Sequence, residues 1–254
     1  MFEELSKKNM TSARQIPTLP EQVKFDDVKN KMKGLKRLPI GIEKGTLNVK
    51  SFDLTAEVGK LILTMKLKYA KALVKSIVEE IISLQDNLVF LDPSEMYLDL
   101  EGRIVNYFTS DFDKKIEKVM DFAEKQEQSE DPKETVIIIN SIGKLLTKLE
   151  STSKVSEMFD KFKTMKKTHV IIVDEVAKIK DSSYESWFAR IDGSEGLYIG
   201  TGIDGQNILK VTQYNKELQQ QLPKNFGYYI KEGNYHIVKL LEFERVVEDD
   251  EDEE

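Results

Sequence analysis

The sequence predicts an α/β domain: a parallel-rich sheet covered by helices on both faces. Two observations predict it. Short runs of apolar, largely β-branched residues recur, Val136-Ile137-Ile138-Ile139 and Val170-Ile171-Ile172-Val173 being the clearest. Between such runs lie segments whose apolar residues return at helical spacing. A strand apolar on both sides must be covered on both sides, and alternation with helices makes the parallel βαβ arrangement the economical solution.

Taken in order, residues 1–36 are polar, carry Pro17 and Pro20, and read as a linker with at most one short helix. The folded domain is expected over 37–246 and an acidic tail over 247–254. Leu61-Ile62-Leu63 is a buried-strand candidate. It is followed by Ala70, Leu73, Val74, Ile77, Val78, Ile81 and Ile82, an apolar stripe suited to packing on a sheet. Leu88 to Leu91 is the next strand, stopped by Asp92-Pro93. A helix follows over 112–126, then the strand 136–139, helices over 142–149 and 155–165, and the strand 170–173. Tyr184, Trp187 and Phe188 suggest a helix with one bulky face. Tyr228-Tyr229-Ile230 and Tyr235-His236-Ile237-Val238 flank Glu232-Gly233-Asn234, a hairpin signal.

Charge and composition remove several classes of function. The net charge of −7 resides in the run Glu248 to Glu254; without those seven residues, 38 acidic face 38 basic residues. A neutral body offers no basic stripe for nucleic acid. No apolar run approaches the roughly 18–20 residues of a membrane span, and the first residues lack a signal-peptide core. With no cysteine, and only His169 and His236, there is no thiolate or histidine cluster for a metal.

The strand at 61–63 runs into Thr64-Met65-Lys66-Leu67-Lys68-Tyr69-Ala70-Lys71 and then a helix, the place and length of a phosphate-binding loop of the type GxxxxGK[ST]. Every signature position differs. Thr64 and Tyr69 stand for the glycines, Ala70 for the lysine and Lys71 for the hydroxyl. Tyr69 has a ring where the loop needs conformational freedom and room, and Ala70 brings no charge. Further on, Val170 to Glu175 reads as an apolar strand ending in a magnesium-binding Asp174 and a water-polarising Glu175.

The order of segments from about 37 to 244 resembles the FtsK/SpoIIIE class of motor ATPase domains, most closely the C-terminal, third ATPase-like domain of EssC-type motors of type VII secretion. LPIGIE, NLVFLDPSEMYL, YFTSDFDKKIEKVMDFAEK, ETVIIINSIGKLL, THVIIVDEVAKI, WFARIDG and GYYIKEG carry the resemblance in sequence. It implies a P-loop NTPase-like (RecA-like) fold. It also implies that the Walker B place falls at Asn140 and Ser141, one strand before Asp174 and Glu175. Asn140 brings no charge for magnesium and Ser141 is no general base. The resemblance therefore implies a degenerate domain with no catalytic residue, no metal and no cofactor. ATP and magnesium enter only under the alternative that Asp174 and Glu175 serve an active site with an unusual loop.

The resemblance further implies a cytoplasmic domain of a membrane-anchored bacterial secretion protein. Its partners would be the upstream ATPase domains of the same chain and secreted WXG-type substrates or effectors. A hexamer is implied for the full machine and a monomer for the isolated domain. The residues proposed for partner binding are Met65, Leu67 and Tyr69 at the disused loop, and Tyr184, Trp187 and Phe188, a stretch whose other reading is core packing.

Overall fold

The computed structural model describes residues 18–29, 36–55, 59–181, 183–191, 193–200, 202–203, 206–212, 216–219 and 222–242. The acidic run from 248 lies outside them. The strands are β1 (Arg37–Glu43), β2 (Val49–Asp53), β3 (Gly59–Thr64), β4 (Asn87–Leu91), β5 (Asn106–Phe108), β6 (Thr135–Asn140), β7 (Thr168–Glu175), β8 (Glu195–Ile199), β9 (Phe226–Lys231) and β10 (Asn234–Leu240). The helices are α1 (Phe25–Lys29), α2 (Lys71–Ser83), α3 (Phe112–Glu127), α4 (Ile142–Thr147), α5 (Ser153–Phe162) and α6 (Val176–Asp181).

All ten strands form one sheet in the order β2-β1-β10-β9-β8-β3-β7-β6-β4-β5. From β8 to β5 every neighbouring pair is parallel. From β2 to β8 every pair is antiparallel. The parallel half is buried on both sides, as the unbroken apolar runs require. Along β3, Ile62 joins one core cluster while Leu61 and Leu63 join the other. In β6, Val136 and Ile138 likewise oppose Ile137 and Ile139. Helices α1 and α2 cover the first face; α3, α4, α5 and α6 cover the second.

The hairpin at the chain's end forms as its turn residues demand. Glu232 and Gly233 both take positive φ, at 50° and 81°, between β9 and β10. Gly41 serves another purpose, because a Cβ there would lie 2.0 Å from the Lys239 carbonyl oxygen of the paired strand. The register of β1 against β2 shifts at this point.

Two expectations change. Residues 18–29 are more than a linker: Val23 and Val28 are wholly buried in the first-face core, and the Glu242 N–H donates to the Val23 carbonyl at 2.9 Å. The helix expected around Tyr184 to Phe188 is absent among the described residues. Helix α6 ends at Asp181, and only a single 3-10 turn forms at Phe188–Arg190.

Candidate functional site at the carboxyl edge of the sheet

Because β3, β4, β6, β7 and β8 run parallel, their carboxyl ends share one edge, where ligands of open α/β sheets bind. Thr64, Asp92, Asn140, Ser141, Asp174 and Glu175 all sit there. The register fixes their order. β7 pairs directly with β3, placing Glu175 opposite Thr64, whereas β6 pairs with the far side of β7.

The loop after β3 folds as a short turn leading straight into a helix. Leu67–Ala70 is one 3-10 turn that continues into α2. Thr64 anchors it: its hydroxyl donates to the Lys66 carbonyl at 2.9 Å and accepts from the Lys66 N–H at 3.3 Å. The Met65 N–H donates to the Ile199 carbonyl, that of Tyr69 to the Lys66 carbonyl and that of Lys71 to the Lys68 carbonyl. The Leu67 N–H donates to Glu175 Oε1 at 3.2 Å. A phosphate cradle is made of loop N–H groups free to point at an anion. Here the amides of 65, 66, 67, 69 and 71 are directed to acceptors within the chain, and one of those acceptors is a carboxylate.

Asp174 is fully buried. Its Oδ2 accepts from the Gly143 N–H at 2.8 Å, and its Oδ1 from the Glu175 N–H at 2.7 Å and the Ser141 hydroxyl at 3.4 Å. Burial pushes its carboxyl up to about 6, against the pull of the Gly143 and Glu175 amides. Both oxygens are thus committed to fixing the turn between β6 and α4. Ser141 opens that turn in a left-handed conformation (φ 67°, ψ 74°), its N–H bonded to the Val173 carbonyl at 2.7 Å. A left-handed non-glycine residue is a local cost that the surrounding bonds must offset.

Asn140 is buried too. Its Nδ2 donates to Asp92 Oδ1 at 2.8 Å and to Ser94 Oγ at 2.5 Å, while its Oδ1 has no hydrogen-bond partner among the described residues. Asp92 also accepts from Ser94 Oγ at 2.7 Å, the Tyr97 N–H at 2.9 Å and the Tyr107 hydroxyl at 2.7 Å. Burial, followed by donation to Asp92, raises the Tyr107 phenol well above its ordinary range. This hub was legible only as Asp-Pro ending a strand. Its partners come from 94, 97, 107 and 140, a spacing with no periodicity to reveal it.

The residues expected to meet a partner separate into two groups. Met65 and Tyr69 are each about half exposed at 48%, and Tyr184 is 82% exposed. Leu67 and Trp187 belong to the core. The Trp187 indole stacks on Phe159 at 6.3 Å and meets Phe188 edge-on at 5.8 Å. A side chain of that size, sealing the second-face core, has no free surface to offer; Phe188 is partly buried beside it. Arg190 pins the segment through Asp160 at 2.6 Å. Among the described residues no group of His, Asp and Glu is arranged to hold a metal ion.

The site and topology define an α/β domain of P-loop NTPase-like architecture. No family model and no curated protein matches the sequence. Solved structures do match the fold. The ATPase 2 and 3 region of EssC from Geobacillus thermodenitrificans superposes with a TM-score of 0.74 at 13% identity, covering 90% of this chain and 46% of that one. The cytoplasmic domain of the Thermomonospora curvata type VII secretion ATPase EccC gives 0.69 at 18%, covering 91% and 29%. ATPases 2 and 3 of that EccC in complex with a signal sequence peptide give 0.65 at 17%, covering 91% and 44%. The chain therefore has the fold of type VII secretion ATPase domains and spans less than half of each of these structures.

Proposed function

We propose that this chain is an ATPase-shaped interaction domain of a type VII secretion motor, which recognises protein substrates or regulates ATPase domains of its parent chain without hydrolysing ATP. One observation carries the reading. In the loop that would hold a nucleotide, the amides of 65, 66, 67, 69 and 71 donate to acceptors within the chain, the Glu175 carboxylate among them, which supports a loop that no longer cradles phosphate. The absence of glycine and lysine at the signature positions supports it, and so does the neutral Asn140 at the Walker B place.

On this reading the domain works on the cytoplasmic side of a membrane-anchored protein. Its partners are neighbouring ATPase domains, in a hexamer when assembled, and WXG-type proteins or effectors. The peptide-bound EccC structure supports a substrate role for this fold. The exposed Met65 and Tyr69 beside the loop, with Tyr184, are the surface we assign to the partner.

Calorimetry with peptides bearing C-terminal secretion signals, on the domain alone and joined to its neighbours, tests this. Saturable binding lost in Met65→Ser/Tyr69→Ser is expected. Absence of binding in every form would remove the substrate role.

A second reading has one observation in its favour. The Thr64 to Glu175 register sets an acidic residue directly beside the loop, where an active NTPase with an unusual loop could use Asp174 and Glu175. ATP binding abolished by Asp174→Ala or Lys71→Ala would establish it.

A further inference from the structure

Helix α2 carries an acid for which the described residues supply no hydrogen-bond partner. Glu80 is fully buried, and neither Oε1 nor Oε2 has a hydrogen-bond partner among the described residues. Its helical neighbours Ile77, Val78 and Ile81 lie in the first-face apolar core. Native proteins rarely leave such a group unsatisfied, and those that do owe an explanation.

The charged groups on α2 and on the elements packed against it are in ion pairs or face solvent, Lys71 at the start of the helix among the exposed ones. On α2 itself, Lys75 pairs with Asp99 at 2.5 Å and Glu79 with Arg103 at 2.6 Å. The elements packed most closely on α2 are β1, β4 and the turn Leu67–Ala70. Strand β4 has no titratable residue. Strand β1 has the exposed Arg37 at one end and Glu43 at the other, the latter bound by Lys50 and His236. The turn has Lys68 and Tyr69, both exposed.

We propose that Glu80 is a weak point built into α2: the helix seats fully only while this carboxyl is neutral. Ionising it loosens the helix together with the loop at 64–71 that feeds it. A carboxylate stripped of water and given no donor is among the costliest groups to bury, and a turn continuous with α2 has to follow the helix when it moves. The inference is independent of what the loop binds. It makes the loop's order depend on one proton.

The direction of the effect follows from linkage. Burial alone pushes the Glu80 carboxyl from 4.5 up to about 9. Between those values the folded domain holds a proton that the unfolded chain has lost. Stability from this group is therefore complete below about pH 4.5 and drains away as pH rises through 9.

The experiment compares the wild-type chain, Glu80→Gln and Glu80→Leu between pH 5 and 9.5. It reads the melting temperature, and amide exchange corrected for intrinsic rates. Gln retains shape and polarity without a titrating proton. In the wild type, opening of residues 67–83 relative to Glu80→Gln should grow with pH by up to about tenfold per unit, the limit for one linked proton. It should do so ahead of β6 and β7, and Glu80→Leu should melt above the wild type at pH 8. Parallel pH profiles for wild type and Glu80→Gln would overturn the proposal. So would a Glu80→Gln variant less stable than wild type at pH 8, since that would mean the carboxylate has a partner. Should Glu80→Leu fail to fold, the wild-type against Gln comparison still decides.

Discussion

At the amino edge of the parallel strands, Glu195 is buried against Lys60 at 2.5 Å, takes the Tyr229 hydroxyl at 2.5 Å and accepts from the Asp53 N–H at 3.3 Å. At the carboxyl edge, Asp92 and Asp174 are just as buried, yet no cation pairs with either among the described residues. Their oxygens go to amides, hydroxyls and the Asn140 amide. Carboxylates at strand ends thus play two different parts in this sheet. Glu195 is a charge neutralised by a charge and tied to the β2 end. Asp174 and Asp92 are turn-makers, fixing the segments after β6 and β4. A carboxylate whose lone pairs are already taken up by backbone N–H groups is poorly placed to bind magnesium, whatever motif it sits in.

The contrast can be broken first at Lys60. Lys60→Ala leaves the buried Glu195 charge to neutral donors and the more distant, partly exposed Lys231 at 3.6 Å, and should cost about 3 kcal/mol in chemical denaturation. A loss under about 1 kcal/mol would mean the pair is solvated and the edges are alike. Next comes Asp174→Ala, which strands the Gly143 and Glu175 amides. We expect about 1–3 kcal/mol, with exchange protection lost first at 141–147.

The Asp174 carboxyl also predicts a pH effect. Its folded value is raised from 3.8 to about 6, so its contribution is full below about pH 4 and is lost as pH rises through 6. The melting temperature of Asp174→Asn should therefore gain on that of the wild type between pH 4 and 7. An unchanging difference would refute the assignment. Smaller again is Glu175→Gln, which weakens only the acceptor for the Leu67 amide and should cost about 0.5–1.5 kcal/mol. Tyr184→Ala, at an 82% exposed position, should stay within about 0.5 kcal/mol of wild type.

The parallel half was legible because runs such as Val136 to Ile139 cannot be anything but doubly covered strands once helices flank them. The loop was legible as a strand-to-helix turn lacking each signature residue. Its folded form was not, since the Glu175 acceptor lies |i−j| = 108 away in sequence. For Trp187 the sequence left core packing and partner binding both open, and the structure places it in the core. An aromatic cluster looks the same in sequence whether it seals a core or waits for a partner; only its contact with Phe159 decides. Val23 and Val28 escaped for a related reason. Two isolated apolar residues in a polar stretch give no period, and their burial depends on β1 and β10 being there to receive them.

On the proposed reading, the carboxyl edge is closed to nucleotide by the chain's own hydrogen bonds. Thermal denaturation with increasing Mg-ATP tests it most directly, because a ligand at 100-fold its Kd stabilises by ~2.7 kcal/mol. A closed loop leaves the melting temperature unchanged up to millimolar Mg-ATP. A saturable rise that disappears in Asp174→Ala or Lys71→Ala would contradict it.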